Sequence, residues 1–169
     1  MRRWGLAAVL VLFLAGWHWR ERLFPGEVVR VRRVLDAVAA DVSFEPSEQG
    51  IAAGRRISRL VDHFSAEAHI EVEILGVGTF NLNGRGEIQQ AMWVARREAR
   101  RLEVRFLDIV VELGPDGRTS VAHLTATAEI TGNRRRQEGF EAMEFRFFLE
   151  QVDGAWKVRQ VETIQTLKQ

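Results

Sequence analysis

An aspartate and a histidine stand side by side at Asp62 and His63. A histidine served by an acid can have its tautomer set and its basicity raised for proton transfer. Neighbours on a helix point about 100° apart, however, so the two do not bond to each other, and each needs a partner from elsewhere. His123 lies in VAHLTATAEIT, where strand alternation sends Ala122, Leu124, Ala126, Ala128 and Ile130 to one face and His123, Thr125, Thr127 and Glu129 to the other. The polar row either lines a pocket or faces water or a dimer partner; the small apolar row suits packing on helices, which places the polar row outside. The four histidines, His18, His63, His69 and His123, show neither an i, i+4 pair nor an H-x-H pattern, and the chain has no cysteine. No metal and no cofactor is therefore expected. Glu71 and Glu73, and Glu141, Glu144 and Glu150, are carboxylates along strands, and no spacing sets a chosen pair at the roughly 5 Å that shared acid–base work requires.

The stretch Phe80 to Arg97, FNLNGRGEIQQAMWVARR, could instead be a glycine-rich anion cradle. A phosphate loop needs a lysine followed by serine or threonine, or three spaced glycines between strand and helix, and neither is present. Glu87 follows Gly86 and would repel an anion, whereas its charge suits the positive end of a helix dipole. The glycines are expected to release a hairpin into a helix, and Arg85 to act as a structural tie.

These residues must be positioned by elements that the pattern discloses. From Glu27, apolar residues at Val28, Val31, Leu35, Val38 and Val42 recur at spacings of 3 and 4 and predict a first helix. Ser47 is placed to cap a second, presenting Ile51, Ile57, Leu60, Val61 and Phe64. After Ser65 the period becomes two: Ile70, Val72 and Ile74 alternate with His69, Glu71 and Glu73 as a strand, and Thr79 to Leu82 returns as a short second one. Glu87 to Arg101 predicts a third helix with Ile88, Met92, Trp93 and Ala95 inward. Four long strands follow, Leu102 to Leu113, Arg118 to Thr131, Phe140 to Val152 and Ala155 to Leu167, separated by Gly114-Pro115-Asp116-Gly117, the loop 132–139 and Asp153-Gly154. Three helices followed by an antiparallel meander make an α+β domain in which a curved sheet wraps the helices.

The chain has 169 residues, with 24 Lys and Arg nearly balanced by 23 Asp and Glu, which leaves no global electrostatic case for nucleic acid. Its first residues, MRRWGLAAVLVLFLAGWHWR, carry no Asp, Glu, Lys or Arg from Trp4 to Trp19. Sixteen helical residues reach about 24 Å, and with interfacial tryptophans and snorkelling arginines that suffices to enter a hydrocarbon core of roughly 30 Å. Leu14-Ala15-Gly16 before Trp17-His18-Trp19 makes a poor cleavage site, so an uncleaved signal anchor is favoured over a secreted product. Arg2 and Arg3 orient the N-terminus inside and the rest of the chain, single-pass, on the extracytoplasmic side; Arg20, Arg22, Arg30, Arg32 and Arg33 pull the other way. Residues 1–26 thus form the anchor and its linker, closed by Phe24-Pro25-Gly26, and residues 27–169 the domain. Arg134-Arg135-Arg136 would be a solvated loop tip, with weak attraction for anionic lipid as its alternative role.

The order of elements, with HFSAEAHIEVE closing a helix into a strand, NGRGEIQQAM opening the third helix and DGAWKVRQVE opening the last strand, resembles the NTF2-like (SnoaL-like) superfamily. The resemblance runs from about Val28 to Leu167, and it implies a cone with a pocket between curved sheet and helices. Ketosteroid-isomerase-like members pair an aspartate base with a tyrosine, and this chain has no tyrosine. Limonene-epoxide-hydrolase-like members activate water with aspartates and an arginine; Arg105 and Asp108, three apart on one strand, could meet only across a bulge. Phe140, Phe145, Phe147 and Phe148, with Trp93 and Trp156, suffice for an apolar interior. Trp93, Phe145 and Phe147 would form the wall against any apolar ligand. Two functions follow from the resemblance. One is a membrane-anchored, non-catalytic module for protein interaction or an apolar small ligand, homodimeric through the outer sheet face. The other is a lyase, isomerase or hydrolase acting on a hydrophobic small molecule, with Asp62, His63 or Asp108 as base.

Overall fold

The computed structural model describes residues 26–48, 50–74, 78–132 and 137–164. The expected span at residues 4–19, the Arg134–Arg136 loop tip, the side chain of Phe140 and the last five residues lie outside them. Among the described residues no helix is long and apolar enough to cross a membrane.

Helix α1 covers Glu27–Val42 and buries the valine–leucine stripe, with Val31 and Leu35 fully enclosed beside Val38. Each such side chain taken out of water contributes roughly 1.5–3 kcal/mol. Val28, at the helix start, stays exposed. Helix α2, Ile51–Asp62, is amphipathic through Ala53, Ile57 and Leu60; its N-cap is Gly50 with φ +58°, not Ser47, and Ile51 faces solvent. Phe64 belongs to strand β1, Phe64–Ile74, which begins directly after His63. Strand β2 is Gly78–Asn83, and helix α3, Gly84–Glu98, starts three residues before the sequence expectation and ends three before it. Ile88 and Met92 are its buried residues, whereas Trp93 remains 41% exposed, so the inward set is narrower than the apolar pattern indicated.

The NGRGE segment works as a joint. The Asn83 N–H donates to Glu87 Oε2 at 2.7 Å, a reach-back that satisfies a donor at the helix start. Arg85 donates from Nε at 2.8 Å and from Nη2 at 2.6 Å to the Phe64 carbonyl, tying α3 to the start of β1. Gly84 has φ +72°, and an added Cβ would lie 3.2 Å from the Ala66 carbonyl oxygen. Gly84→Ala is expected to cost about 1–2 kcal/mol from the left-handed backbone, and Arg85→Ala about 1.5–3 kcal/mol from the lost charged hydrogen bonds, both read as a lowered urea midpoint.

The long strands are β3 Ala99–Leu113, β4 Thr119–Gly132, β5 Gln137–Val152 and β6 Ala155–Thr163. They form one six-stranded sheet in the order β2-β1-β6-β5-β4-β3. The sheet is not purely antiparallel, because the last strand inserts beside the first and runs parallel to it. A hairpin count reads only successive partners and misses this closure. Register shifts between Leu107 and Val110, Ala126 and Ala128, and Phe148 and Leu149 bend the sheet. Its inner face presents Ala122, Leu124, Ala126 and Ala128 from β4, Phe145, Phe147 and Leu149 from β5, and Trp156 and Val158 from β6, all buried. The alternation expected for β4 therefore holds, with His123, Thr125 and Thr127 on the outer face and half-buried by their neighbours.

The N-terminus of α1 is clamped to the sheet. Trp156 Nε1 and Gln151 Nε2 donate to Glu27 Oε2 at 2.7 and 2.9 Å, and Arg30 bonds Oε1 at 2.9 Å. The Trp156 hydrogen bond, opposed by burial and aided by Arg30 and Gln151, lowers the Glu27 carboxyl below its ordinary value. A depressed acid stabilises the fold above its unfolded pKa of about 4.3, and that contribution is lost as pH falls through the folded value. The urea-midpoint difference between wild type and Glu27→Gln is therefore expected to be largest near pH 7 and to shrink below about pH 4.

Candidate functional site

His63 does have an acidic partner, but it is Asp41 on α1 rather than Asp62. Its Nε2 lies 3.1 Å from Asp41 Oδ2, and Arg59 donates to Asp41 Oδ1 from Nε at 3.2 Å and Nη2 at 3.0 Å. Asp41 is 8% exposed, so its charge is held by two donors from α2 and its C-cap. The His63 backbone is equally engaged, its N–H bonded to Leu60 O at 3.0 Å and its carbonyl accepting from Val158 N at 2.8 Å. This constellation locks α1, α2 and β6 together. Asp62 points to solvent, and its carbonyl oxygen accepts from Lys157 Nζ. The pairing partner was missed because 22 residues separate it from His63, and only the α1–α2 packing brings them together.

Asp108 is exposed and sits at the β3 bulge with φ +51°. The bulge is present, yet it does not build the Arg105–Asp108 pair. Arg105 turns to Glu103, with Nε 2.7 Å from its Oε1, and this bond leads the effects that lower the Glu103 carboxyl. Asp62, His63 and Asp108 thus stand in three separate settings.

The expected ligand wall also divides. Phe145 and Phe147 are buried at 6% and 4% exposure, and Phe106 meets Phe147 edge-on with centroids 5.4 Å apart. Both belong to the central apolar cluster with Leu35, Ile57 and Leu149. Trp93 stands outside that cluster, on the outward side of α3. Its amphipathic ring instead lines a cleft of about 540 Å³ between α3 and the α1–α2 connection, together with Phe44, Pro46, Ala53, Arg96 and Arg100.

The floor of this cleft is built from charge. Arg96, whose side chain is 8% exposed, donates from Nη2 to Glu48 Oε2 at 3.0 Å, and its guanidinium carbon lies 4.5 Å from the Phe44 ring centroid. Arg56 holds the other Glu48 oxygen at 2.8 Å. Burial pushes the Glu48 carboxyl up, but the hydrogen bonds and positive charge of Arg96 and Arg56 outweigh it and leave the carboxyl below its usual range. Among the described residues the buried Nε of Arg96 meets no hydrogen-bond acceptor. Phe44 is fixed by a backbone bridge to Leu102, so the whole connection is anchored on β3. None of Asp62, His63 and Asp108 lines this cleft or the neighbouring ones along α3 and the α1–α2 connection. Among the described residues no group of three or more His, Asp or Glu could hold a metal ion.

Helices laid on a bulged sheet with this order of elements define the cystatin-like, NTF2-like α+β fold, and solved structures agree. An NTF2-like protein with a cystatin-like fold from Novosphingobium aromaticivorans superposes with a TM-score of 0.61 over 92% of each chain at 13% identity. Aln2 from a Streptomyces species gives 0.61 over 84% of this chain and 92% of its own, at 19% identity. A type 2 hexachlorocyclohexane dehydrochlorinase gives 0.59 over 83% and 88%, at 14% identity. At these identities the likeness is one of fold alone. No sequence-family model and no curated protein sequence matches the chain.

Proposed function

We propose that the chain is a non-catalytic binding domain held at a membrane by residues 4–19, with residues 27–169 on the extracytoplasmic side. The observation that supports the non-catalytic part is the interior: Leu35, Phe145, Phe147 and Trp156 belong to one buried apolar cluster, and among the described residues the candidate acids and base do not converge on a cavity. A lyase or isomerase needs a positioned base within reach of a bound substrate. Binding on this reading takes place on the outer surface. The dehydrochlorinase named above is an enzyme on the same fold, but fold does not carry activity.

Crystals soaked with steroid-like and lipidic fragments test the closed interior: no fragment is expected beside Phe145 and Phe147, and one seated there beside His63 or Asp62 returns the chain to the enzymes. Carbonate extraction of membranes tests the tether. The full chain is expected to stay in the pellet and residues 27–169 alone to be released; a chain shortened at its N-terminus and found in the culture medium would instead mean a cleaved signal. The outer sheet face, where Leu107 and Val110 are 45% and 55% exposed beside Thr125 and His123, is our proposed homodimer surface. Val110→Lys is expected to halve the mass measured by sedimentation.

A further inference from the structure

One end of the domain carries apolar side chains that the core leaves uncovered. Val28 and Val29 open α1, Leu113 closes β3 and Val152 closes β5, and the four are 36% to 43% exposed. Hydrogen bonds gather them at one place. Gln151 donates its side-chain amide to Glu27 and its main-chain N–H to the Arg118 carbonyl, and the Gly114 N–H closes the β3–β4 turn on the Thr119 carbonyl. The track of α1 agrees: Ser43 lies at Val104 and Arg32 at Ile109, which carries the first helical turn toward the end of β3. We propose that this end of the domain rests in the headgroup layer of the bilayer that holds the chain, with Val28, Val29, Leu113 and Val152 among the lipid carbonyls. The proposal rests on the reading of residues 4–19 as a membrane tether.

Chain length commits the patch to lipid. Helix α1 begins at Glu27, and the seven residues 20–26 between it and Trp19 span at most about 25 Å when fully extended. The patch is therefore held beside the bilayer at a high effective concentration, and contact costs little of the freedom that a separate partner would lose. Two copies tethered to one bilayer both turn this end toward it, so they cannot press these ends together. Polarity is graded along the same axis. At the far end of α1, about 24 Å away, Glu45 and Glu48 pair with Arg101, Arg56 and Arg96, and Glu103 pairs with Arg101 and Arg105. At the near end the described residues form one ion pair, Arg30 with Glu27. The charged network stands where water solvates it, and the apolar side chains stand where the interface can take them.

Charge does not choose the lipid. Glu27, Asp116 and Asp153 offset Arg30 and Arg118 at this end, so anionic headgroups gain nothing over zwitterionic ones. Seating comes from the apolar area withdrawn from water. Its consequence is an orientation. With the β3–β4 and β5–β6 turns at the interface, the long strands rise away from the bilayer, and the sheet face that bears Leu107 and Val110 is turned toward neighbours in the same plane.

The chain has no cysteine, so single cysteines can report position. Full chains carrying Val29→Cys, Leu113→Cys, Val152→Cys or, as the far-end control, Ile51→Cys are labelled with the fluorophore NBD. Ile51 is 76% exposed at the start of α2. Each chain is placed, one per disc, in phosphatidylcholine nanodiscs with and without lipid spin-labelled near its carbonyls. Lipid quenching at positions 29, 113 and 152 is expected to be about threefold or more above that at 51, and quenching by iodide from water to follow the reverse order. Leu113→Asp with Val152→Asp should cut lipid quenching of the Val29→Cys label about twofold or more, with circular-dichroism melting unchanged. Replacing a third of the lipid by phosphatidylglycerol should leave the pattern within about twofold. Equal lipid quenching at all four labels, an aspartate pair without effect, or contact that forms only with phosphatidylglycerol overturns the proposal. So does shielding from iodide without lipid quenching, which assigns the patch to the chain's own first residues. A full chain released from membranes by carbonate sinks the tether reading itself, whereas a chain that stays in the pellet with four equally quenched labels sinks this inference alone.

Discussion

Glu48→Ala is expected to destabilise the protein by about 3 kcal/mol, the typical cost of leaving a buried partner charge uncompensated. The partner is Arg96, 8% exposed and bonded to Glu48 through both its Oε2 and its backbone carbonyl. Arg56 loses its contact at the same time, although its two bonds to the Ala40 and Ser43 carbonyls survive. The effect should be non-additive: Arg96→Met in the Glu48→Ala background is expected to restore part of the loss, because it removes the stranded charge and keeps apolar contact with Phe44. Urea denaturation of the two single variants and the double variant measures this coupling. A double variant as unstable as the sum of the singles would show that the two residues act independently.

Phe147→Ala is expected to cost about 3–5 kcal/mol, the range for removing a large aromatic from a packed core. The ring is 4% exposed, meets Phe106 edge-to-face and lies 6.5 Å from Phe145 between centroids. This measurement bears directly on function. A side chain that lined an open ligand pocket would lose only part of its contacts on truncation, so a cost near about 1 kcal/mol would mean that the interior is more open than its packing indicates.

The sequence was most readable where periodicity and local chemistry spoke together. The 3–4 spacing of Val31, Leu35 and Val38 fixed the buried stripe of α1, and strict alternation fixed both faces of β4. Glu87 could be read as a joint residue because its role is satisfied four residues away at Asn83, whereas Arg85 was legible only as a tie, its acceptor being the Phe64 carbonyl 21 residues back on β1. Legibility ended where a position depends on tertiary placement. Trp93 belongs to an apolar pattern on α3, yet the helix turns Ile88 and Met92 inward and leaves the indole outside. Asp41 carries no local signal at all, since its meaning comes from α2 arriving with Arg59 and His63. The parallel pairing of β6 with β1 joins residues nearly a hundred positions apart, as in Phe64 with Val158 and Ile70 with Val161.

Strand β3 is an edge strand of fifteen residues, a length that ordinarily invites a second molecule to extend the sheet. Its open side is already claimed in three places. Phe44 bridges Leu102, the Ser43 hydroxyl accepts from Val104 N at 2.9 Å, and Arg32 donates to the Ile109 carbonyl beside the Asp108 bulge. This cover of the rim by α1 and its trailing loop leaves fewer open main-chain groups for a second molecule to pair with. The guard on this edge is made by Arg32 and Ser43 together with the main chain of Phe44, so the same loop that seals the rim also sends a ring into the core.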